Sequence, residues 1–135
     1  MSKPERERSS TSAHNPRRRL GDFGERVAVQ HLEARGYRIR ERNFRTREGE
    51  IDIVAEAGGV VAFVEVRTRR GAALGSAAES VTPAKQRRLL ALAEAYAQDR
   101  PDLPLERRID VIALDLAPDG RLLSLRHIEG AVWGD

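Results

Sequence analysis

The strongest constraint in this sequence is a pair of β-branched segments separated by two glycines. Residues 50–55 and 60–67 are rich in valine and isoleucine, and Gly58-Gly59 lies between them. β-Branched residues favour strands, and a glycine pair supports the tight turn of a hairpin. The sequence therefore predicts two adjacent antiparallel strands.

Charged residues interrupt this apolar hairpin: Asp52 in its first strand, and Glu65 and Arg67 in its second. Side chains alternate between the two faces of a strand, so Glu65 and Arg67 are expected on one face. In the first strand, Ile51 and Ile53 are expected to share the face opposite Asp52. A carboxylate in a mostly buried sheet needs a cation or several hydrogen bonds, so two carboxylates on neighbouring strands indicate a shared metal ion. A metal-free network of ion pairs with Arg67 is the alternative.

The remaining segments predict an α/β protein with the element order α-β-β-β-α-β-β. Apolar residues at helical spacing indicate a first helix over 20–34, and Thr82-Pro83 supplies the cap and the first-turn proline of a second helix. Alternating or β-branched segments predict further strands over 37–40, 109–116 and 122–128.

Length and composition indicate one domain with a short tail. A chain of 135 residues is long enough for one core, which residues 18–135 are expected to form. Residues 1–17 contain almost nothing that could be buried, which predicts a disordered tail. The small residues over 69–81 show no clear period, so this segment is predicted to be a mobile loop.

Composition also excludes several classes of protein. No apolar run is long enough to span a bilayer, so a membrane protein is excluded. The N-terminus lacks the apolar stretch of a secretory signal, and the absence of cysteine rules out disulfides and thiolate metal sites. A cytoplasmic protein is expected.

The net charge of +3 conceals an asymmetry along the chain. Residues 1–48 hold 13 basic and 7 acidic residues, whereas residues 49–135 hold 11 and 14. A basic approach surface beside an acidic centre is typical of a protein that binds a polyanion such as nucleic acid. The alternative is a solvated surface in a protein with generally high arginine usage, since only two of the 24 basic residues are lysine.

Several short motifs occur together along the chain. They are Gly24-Glu25 with Ala28, Gly36-Tyr37, Arg42-Asn43, Gly49-Glu50-Ile51-Asp52, Phe63-Val64-Glu65-Val66-Arg67, Glu79-Ser80-Val81, Lys85 and Asp110-Val111. With these motifs the chain resembles, over roughly residues 18–130, the YraN family of uncharacterised bacterial proteins. That family is similar to archaeal Holliday junction resolvases and to the PD-(D/E)xK nuclease superfamily. The resemblance implies a restriction-endonuclease-like core, with a mixed β-sheet flanked by helices.

The resemblance also implies an activity, namely a metal-dependent endonuclease that hydrolyses phosphodiester bonds in branched or otherwise structured DNA. It makes Asp52 and Glu65 ligands of Mg²⁺ or Mn²⁺, together with the backbone carbonyl of Val66. Glu25 is the acidic residue of the first helix, which either completes the metal shell or is a solvent-facing charge. Junction resolvases act as dimers, so the resemblance also implies that this chain could form a homodimer.

Arg67 occupies the position where the superfamily pattern has lysine. Arginine effectively cannot lose its proton, so Arg67 can orient water or neutralise a phosphate but should not act as the general base. Lys85, at the start of the second helix, either substitutes for that lysine or extends to solvent. A catalytically weak or inactive nucleic-acid-binding module that retains the nuclease fold is therefore the alternative function.

Three other polar residues receive no catalytic role. Asp110 opens a predicted strand and is interpreted as a strand-end charge, with a supporting acid near the metal as the alternative. His31 and His127 show no ligand spacing with each other and are assigned nothing.

Overall fold

The computed structural model describes residues 15–132, and its strands form one mixed sheet. The strands are β1 (Arg38–Thr46), β2 (Gly49–Ala57), β3 (Val60–Arg70), β4 (Glu106–Leu116) and β5 (Leu122–Val132), and the helices are α1 (Pro16–Ala34), α2 (Ser76–Glu79) and α3 (Pro83–Gln98). The strands lie across the sheet in chain order; β3 and β4 are parallel and the other neighbours are antiparallel. The predicted α/β fold, a mixed sheet flanked by helices, is confirmed.

The sheet is covered on both faces, which explains why its central strands are so apolar. On one face α1 buries Ala28 and Leu32 against the sheet. On the other face α3 buries Leu89, Leu92 and Tyr96, whose spacing of three and four residues forms one helical stripe. Central strands buried on both faces lose the alternation of polar and apolar residues, so a charge within them is informative.

Two elements begin or end away from their predicted positions. The α1 helix begins at Pro16, four residues before the predicted start, because Asn15 caps it by accepting hydrogen bonds from the amides of Arg17 and Arg18. Residues 16 and 17 of the predicted tail are therefore helical, and residues 1–14 lie outside the described part. The β1 strand continues to Thr46, six residues beyond the end of the strand predicted over 37–40.

The segment predicted to be a mobile loop contains regular structure. β3 extends to Arg70, and the short α2 follows. The carboxylate of Asp115 in β4 accepts hydrogen bonds from the amides of Gly75 (3.2 Å) and Ala77 (3.3 Å) and so holds the start of α2. The mobile-loop prediction is wrong over these residues, because a side chain from another strand supplies the partners that the local sequence lacks.

The predicted face assignment in β2 is also wrong. Ile51 packs on the α3 side and Ile53 on the α1 side, so the alternation breaks at Asp52. The regular pairing of β2 with β3 ends at Ile53 and Val64, beyond which the strands separate. Asp52 Oδ2 then accepts the amide hydrogen of Val66 at 2.8 Å. The irregularity directs this carboxylate into the gap between the two strands.

Within residues 15–132, none of the helices combines the length and the apolar character that crossing a membrane requires.

Candidate metal centre

A cavity of about 330 Å³ lies where β2 and β3 separate. Its lining includes Glu25 from α1, Asp52, Glu65 and Arg67 from the two strands, and Lys85 from the first turn of α3. All five side chains that the sequence singled out are therefore brought to one cavity. Val66, whose carbonyl was predicted as a ligand, lines it too.

Asp52 is a partly buried carboxylate with little compensation for its charge. Burial and the neighbouring Glu65 raise its pKa to about 8, and the hydrogen bond from the Val66 amide counters this only in part. Among residues 15–132 no cationic side chain forms an ion pair with Asp52. At neutral pH the fold alone thus favours the protonated form.

Glu65 shares the same environment but has a cation beside it. Its side chain is 13% exposed, and Arg67 Nη1 lies 3.5 Å from Glu65 Oε2. Burial raises the pKa of Glu65, whereas the positive charges of Arg67 and Lys85 oppose the rise. If both carboxylates were ionised, these surroundings would offset their negative charge only in part, which is why both pKa values are raised.

Arg67 is held in place from the side of α2. Its Nε donates to Ser80 Oγ at 2.8 Å, and Ser80 Oγ donates to the carbonyl of Ala77 at 2.6 Å. Because Asp115 anchors the start of α2, the guanidinium is fixed between Glu65 and a helix that is itself tied to β4. Sequence reasoning missed Ser80 and Asp115, although Ser80 belongs to a motif that carried the family resemblance.

Lys85 faces the cavity from the start of α3, where Thr82 Oγ1 caps the helix by accepting the Lys85 amide at 3.3 Å. Burial and the charge of Arg67 lower the pKa of the Lys85 ammonium, and Glu65 opposes this shift. Lys85 therefore gives up a proton more readily than an ordinary lysine, which Arg67 cannot do.

Glu25 is oriented toward the cavity by neighbours that sequence reasoning also missed. Its side chain is 16% exposed, and Arg42 Nη2 lies 3.5 Å from its Oε1. Asn43 adopts a left-handed conformation (φ 57°), and its amide nitrogen, oriented toward the acids, donates to Glu50 Oε2 at 2.8 Å and to Glu25 Oε2 at 3.3 Å. Burial raises the pKa of Glu25 despite Arg42. Asparagine tolerates the left-handed backbone region better than most residues do, so the asparagine at position 43 is itself a sequence signal for this conformation.

The residues present fit a hard divalent cation. Asp52 and Glu65 offer carboxylate oxygens, and a positive charge bound beside them would lower both of their raised pKa values. Within the described residues no group of three or more His, Cys, Asp or Glu side chains is arranged so that it could hold a metal ion. Mg²⁺ does not require such a group, because it is commonly bound through one or two carboxylates and keeps several waters.

A second polar cluster lies outside this cavity and corrects the prediction for Asp110. Asp110 is fully buried; it accepts hydrogen bonds from Arg108 Nε (2.9 Å) and Nη2 (3.0 Å) and from the Gly130 amide (3.0 Å), and His127 Nε2 lies 2.8 Å from it. His31 Nε2 is 3.2 Å from His127 Nδ1. Asp110 is therefore not a strand-end charge, and it links to both histidines through His127. These contacts join positions up to 96 residues apart, which sequence spacing does not reveal.

Comparison with known proteins identifies the family. The model of the uncharacterised protein family UPF0102 matches residues 24–114. The chain belongs to this family. The YraN resemblance found in the motifs is thereby confirmed, and the matched residues of UPF0102 include every predicted site residue from Glu25 to Lys85.

Relatives in UPF0102 come from diverse bacteria and match nearly their whole length. A UPF0102 protein of Symbiobacterium thermophilum is 51% identical over 105 residues, which cover 78% of this chain and 89% of the relative. One from Roseiflexus castenholzii is 49% identical over 118 residues, covering 86% and 94%. One from Frankia alni is 43% identical over 112 residues, covering 83% and 92%.

Proposed function

We propose that this UPF0102 protein is a metal-dependent endonuclease that hydrolyses phosphodiester bonds in DNA. The observation that carries the proposal is the pair of partly buried carboxylates, Asp52 and Glu65, whose charges the surrounding residues compensate only in part. The pair lines an accessible cavity together with Arg67 and Lys85. Clustered groups with strongly shifted pKa values are typical of functional sites.

Asp52, Glu65 and the Val66 carbonyl are the groups that would hold Mg²⁺ or Mn²⁺, with Glu25 as an outer acid. Such a cation supplies positive charge against the phosphoryl oxygens and makes a water more acidic. Arg67, which donates a hydrogen bond to Ser80, would neutralise a non-bridging phosphate oxygen. Lys85 can exchange a proton with the reacting water.

The alternative is a nucleic-acid-binding module with weak or no catalysis. Arg67 favours it, because the guanidinium is already engaged by Glu65 and Ser80 and cannot act as a base. In this alternative the carboxylates and the cavity remain, and the protein binds DNA without cleaving it.

Cleavage of defined substrates separates the two. The purified chain is incubated with four-way junction, flap, duplex and single-stranded DNA in Mg²⁺ and in Mn²⁺, beside Glu65→Ala, Asp52→Asn and the exposed control Glu33→Gln. We expect the control to cleave like the wild type and both site variants to lose about 100-fold or more of the rate. Cleavage that persists in both site variants would come from a contaminant and would remove the proposal. Binding without cleavage would establish the alternative.

The proposal also includes branched DNA as the substrate, a homodimer as the assembly and the cytoplasm as the compartment. Branched DNA and a homodimer rest on the resemblance to junction resolvases, which pair two sites to cut two strands. The lack of cysteine agrees with a cytoplasmic protein. Light scattering with and without a four-way junction tests the dimer directly.

A further inference from the structure

One face of α1 leads from the acidic cavity toward a basic end. Arg17, Gly21 and Glu25 are spaced four residues apart, so they lie along one side of the helix, about 6 Å apart per step. Glu25 lines the cavity, Gly21 lines the cavity and also a neighbouring groove, and Arg17 lines the groove. Along this face of the helix, an acidic residue is followed by a position without a side chain and then by a basic residue.

The groove is continuous with the cavity. The two share Gly21, Val66 and Arg67, and the groove continues beside Arg17 and Arg69. Over residues 15–132 neither Arg17 nor Arg69 pairs with a carboxylate, and both are exposed. Their positive charges are therefore available to an anionic ligand in the groove.

The glycine in the middle of this face is not explained by packing. At Gly24, one turn away, a Cβ would collide with the Thr68 side chain, so close contact between α1 and β3 requires glycine there. At Gly21 a Cβ would meet nothing within 4 Å. Glycine inside a helix is destabilising relative to alanine, so Gly21 lowers helix stability without any gain in packing. The space that a side chain at this position would fill is the junction of the cavity and the groove.

We propose that this groove, from Gly21 to Arg17 and Arg69, holds the phosphodiester backbone of the nucleic-acid strand that enters the cavity, and that Gly21 keeps the path open. The inference rests on the proposed function, because it assigns the substrate's path to the same site. The distance from Glu25 to Arg17, about 12 Å along the helix, corresponds to roughly three phosphates of one duplex strand. The groove lining contains no aromatic residue among those described, so it contacts phosphates and does not stack on bases.

Binding in EDTA tests the groove without requiring cleavage. Fluorescence anisotropy with labelled DNA and RNA of one sequence, single-stranded and duplex, is measured over a salt series for the wild type, Gly21→Leu, Gly21→Ala, Arg17→Ala and Arg69→Ala. The matched control is Arg26→Ala, an exposed arginine on the opposite side of α1. Thermal unfolding of each variant checks that it is folded.

For the strand that binds best, we expect Gly21→Leu to weaken binding about 10-fold while unfolding no earlier than the wild type. Gly21→Ala should bind nearly as well as the wild type. Arg17→Ala and Arg69→Ala should each reduce the slope of log affinity against log salt by about 1, and Arg26→Ala should leave it unchanged.

The proposal is overturned if the wild type binds no nucleic acid in EDTA, if Gly21→Leu binds like the wild type, or if Arg26→Ala weakens binding as much as Arg17→Ala. If Gly21→Leu fails to fold, the salt dependence of binding by Arg17→Ala and Arg69→Ala tests the groove instead. Failure of the groove is separable from failure of the nuclease. If the wild type cleaves no DNA but the groove variants bind it more weakly, the groove proposal stands and the endonuclease proposal falls. If the groove variants bind and cleave DNA as well as the wild type does, the endonuclease proposal stands and the groove proposal falls.

Discussion

Two aspartates of the same sheet, Asp110, which is fully buried, and Asp52, which is partly buried, have opposite surroundings. Asp110 receives hydrogen bonds from Arg108 and the Gly130 amide and contacts His127, whereas Asp52 receives one hydrogen bond, from the Val66 amide, and lies beside another acid. Burial alone would raise the pKa of Asp110, but its partners outweigh burial and hold the pKa below its usual value. At Asp52 burial prevails. Burying an acid therefore does not by itself mark a candidate site; what distinguishes Asp52 is that its charge is poorly compensated.

The two acids should also affect stability with opposite signs. The lowered pKa of Asp110 means that its ionised form stabilises the fold, a contribution present above the unfolded pKa and lost as pH falls through the folded one. The raised pKa of Asp52 means that the folded state holds a proton that the unfolded chain releases, so ionisation destabilises the fold as pH rises from about 4 to about 8. A bound cation would offset that loss.

Removing the compensated acid should have the largest effect. Asp110→Ala leaves Arg108 without its buried partner and the Gly130 amide without an acceptor, so we expect the free energy of unfolding to fall by about 3–5 kcal/mol. Urea denaturation at pH 7 measures it. A loss below about 1 kcal/mol would mean that the ion pair and hydrogen bonds of Asp110 contribute little to the stability of the fold.

Removing the uncompensated acid should do the opposite. Asp52→Asn keeps an oxygen that can accept the Val66 amide and removes the charge, so we expect metal-free unfolding at pH 8 to require about 1–2 kcal/mol more than in the wild type. The same urea titration serves, beside Glu33→Gln as an exposed control. Destabilisation comparable to that of Asp110→Ala would erase the contrast between the two acids.

The pH dependence sharpens the contrast. Without metal, the wild type should lose about 2 kcal/mol of stability between pH 6 and pH 8 relative to Asp52→Asn, because the folded state keeps the Asp52 proton up to about pH 8 whereas the unfolded chain has already released it. Mn²⁺ should reduce the difference, and its affinity should rise with pH up to about 8, since the ion competes with a proton at Asp52. Parallel pH profiles for the two proteins would show that Asp52 is already ionised at pH 6.

The smallest effect is expected at the edge of the compensated cluster. Burial and the neighbouring His127 lower the pKa of His31, so its neutral form is favoured and the fold loses stability as pH falls through about 6.5. We expect His31→Gln to change the free energy of unfolding by less than about 1 kcal/mol at pH 8 and to remove part of the loss at pH 5.5. Thermal melts at both pH values measure this, and an unchanged acid-side loss would assign the titration to another group.

The contrast also marks how far the sequence predicts this molecule. Local patterns of alternation and capping predict three features: the β2–β3 hairpin, the placement of Glu65 with Arg67, and the start of α3 at Thr82-Pro83. The break at Asp52 does not, because it depends on where two strands separate. The Ser80 contact with Arg67 depends on a four-residue helix that Asp115 anchors from another strand. The histidine pair joins α1 to β5 across the sheet, so only the assembled fold brings these side chains together.

The most direct test of a cation site at Asp52 and Glu65 is isothermal titration of Mn²⁺ into the metal-free protein at pH 8.5, above the pKa of Asp52. We expect the wild type and Glu33→Gln to bind the ion with equal affinity, and Asp52→Asn to show no binding in the same range while remaining folded. A wild-type protein that binds no Mn²⁺, or an Asp52→Asn variant that binds it equally well, would contradict the metal centre.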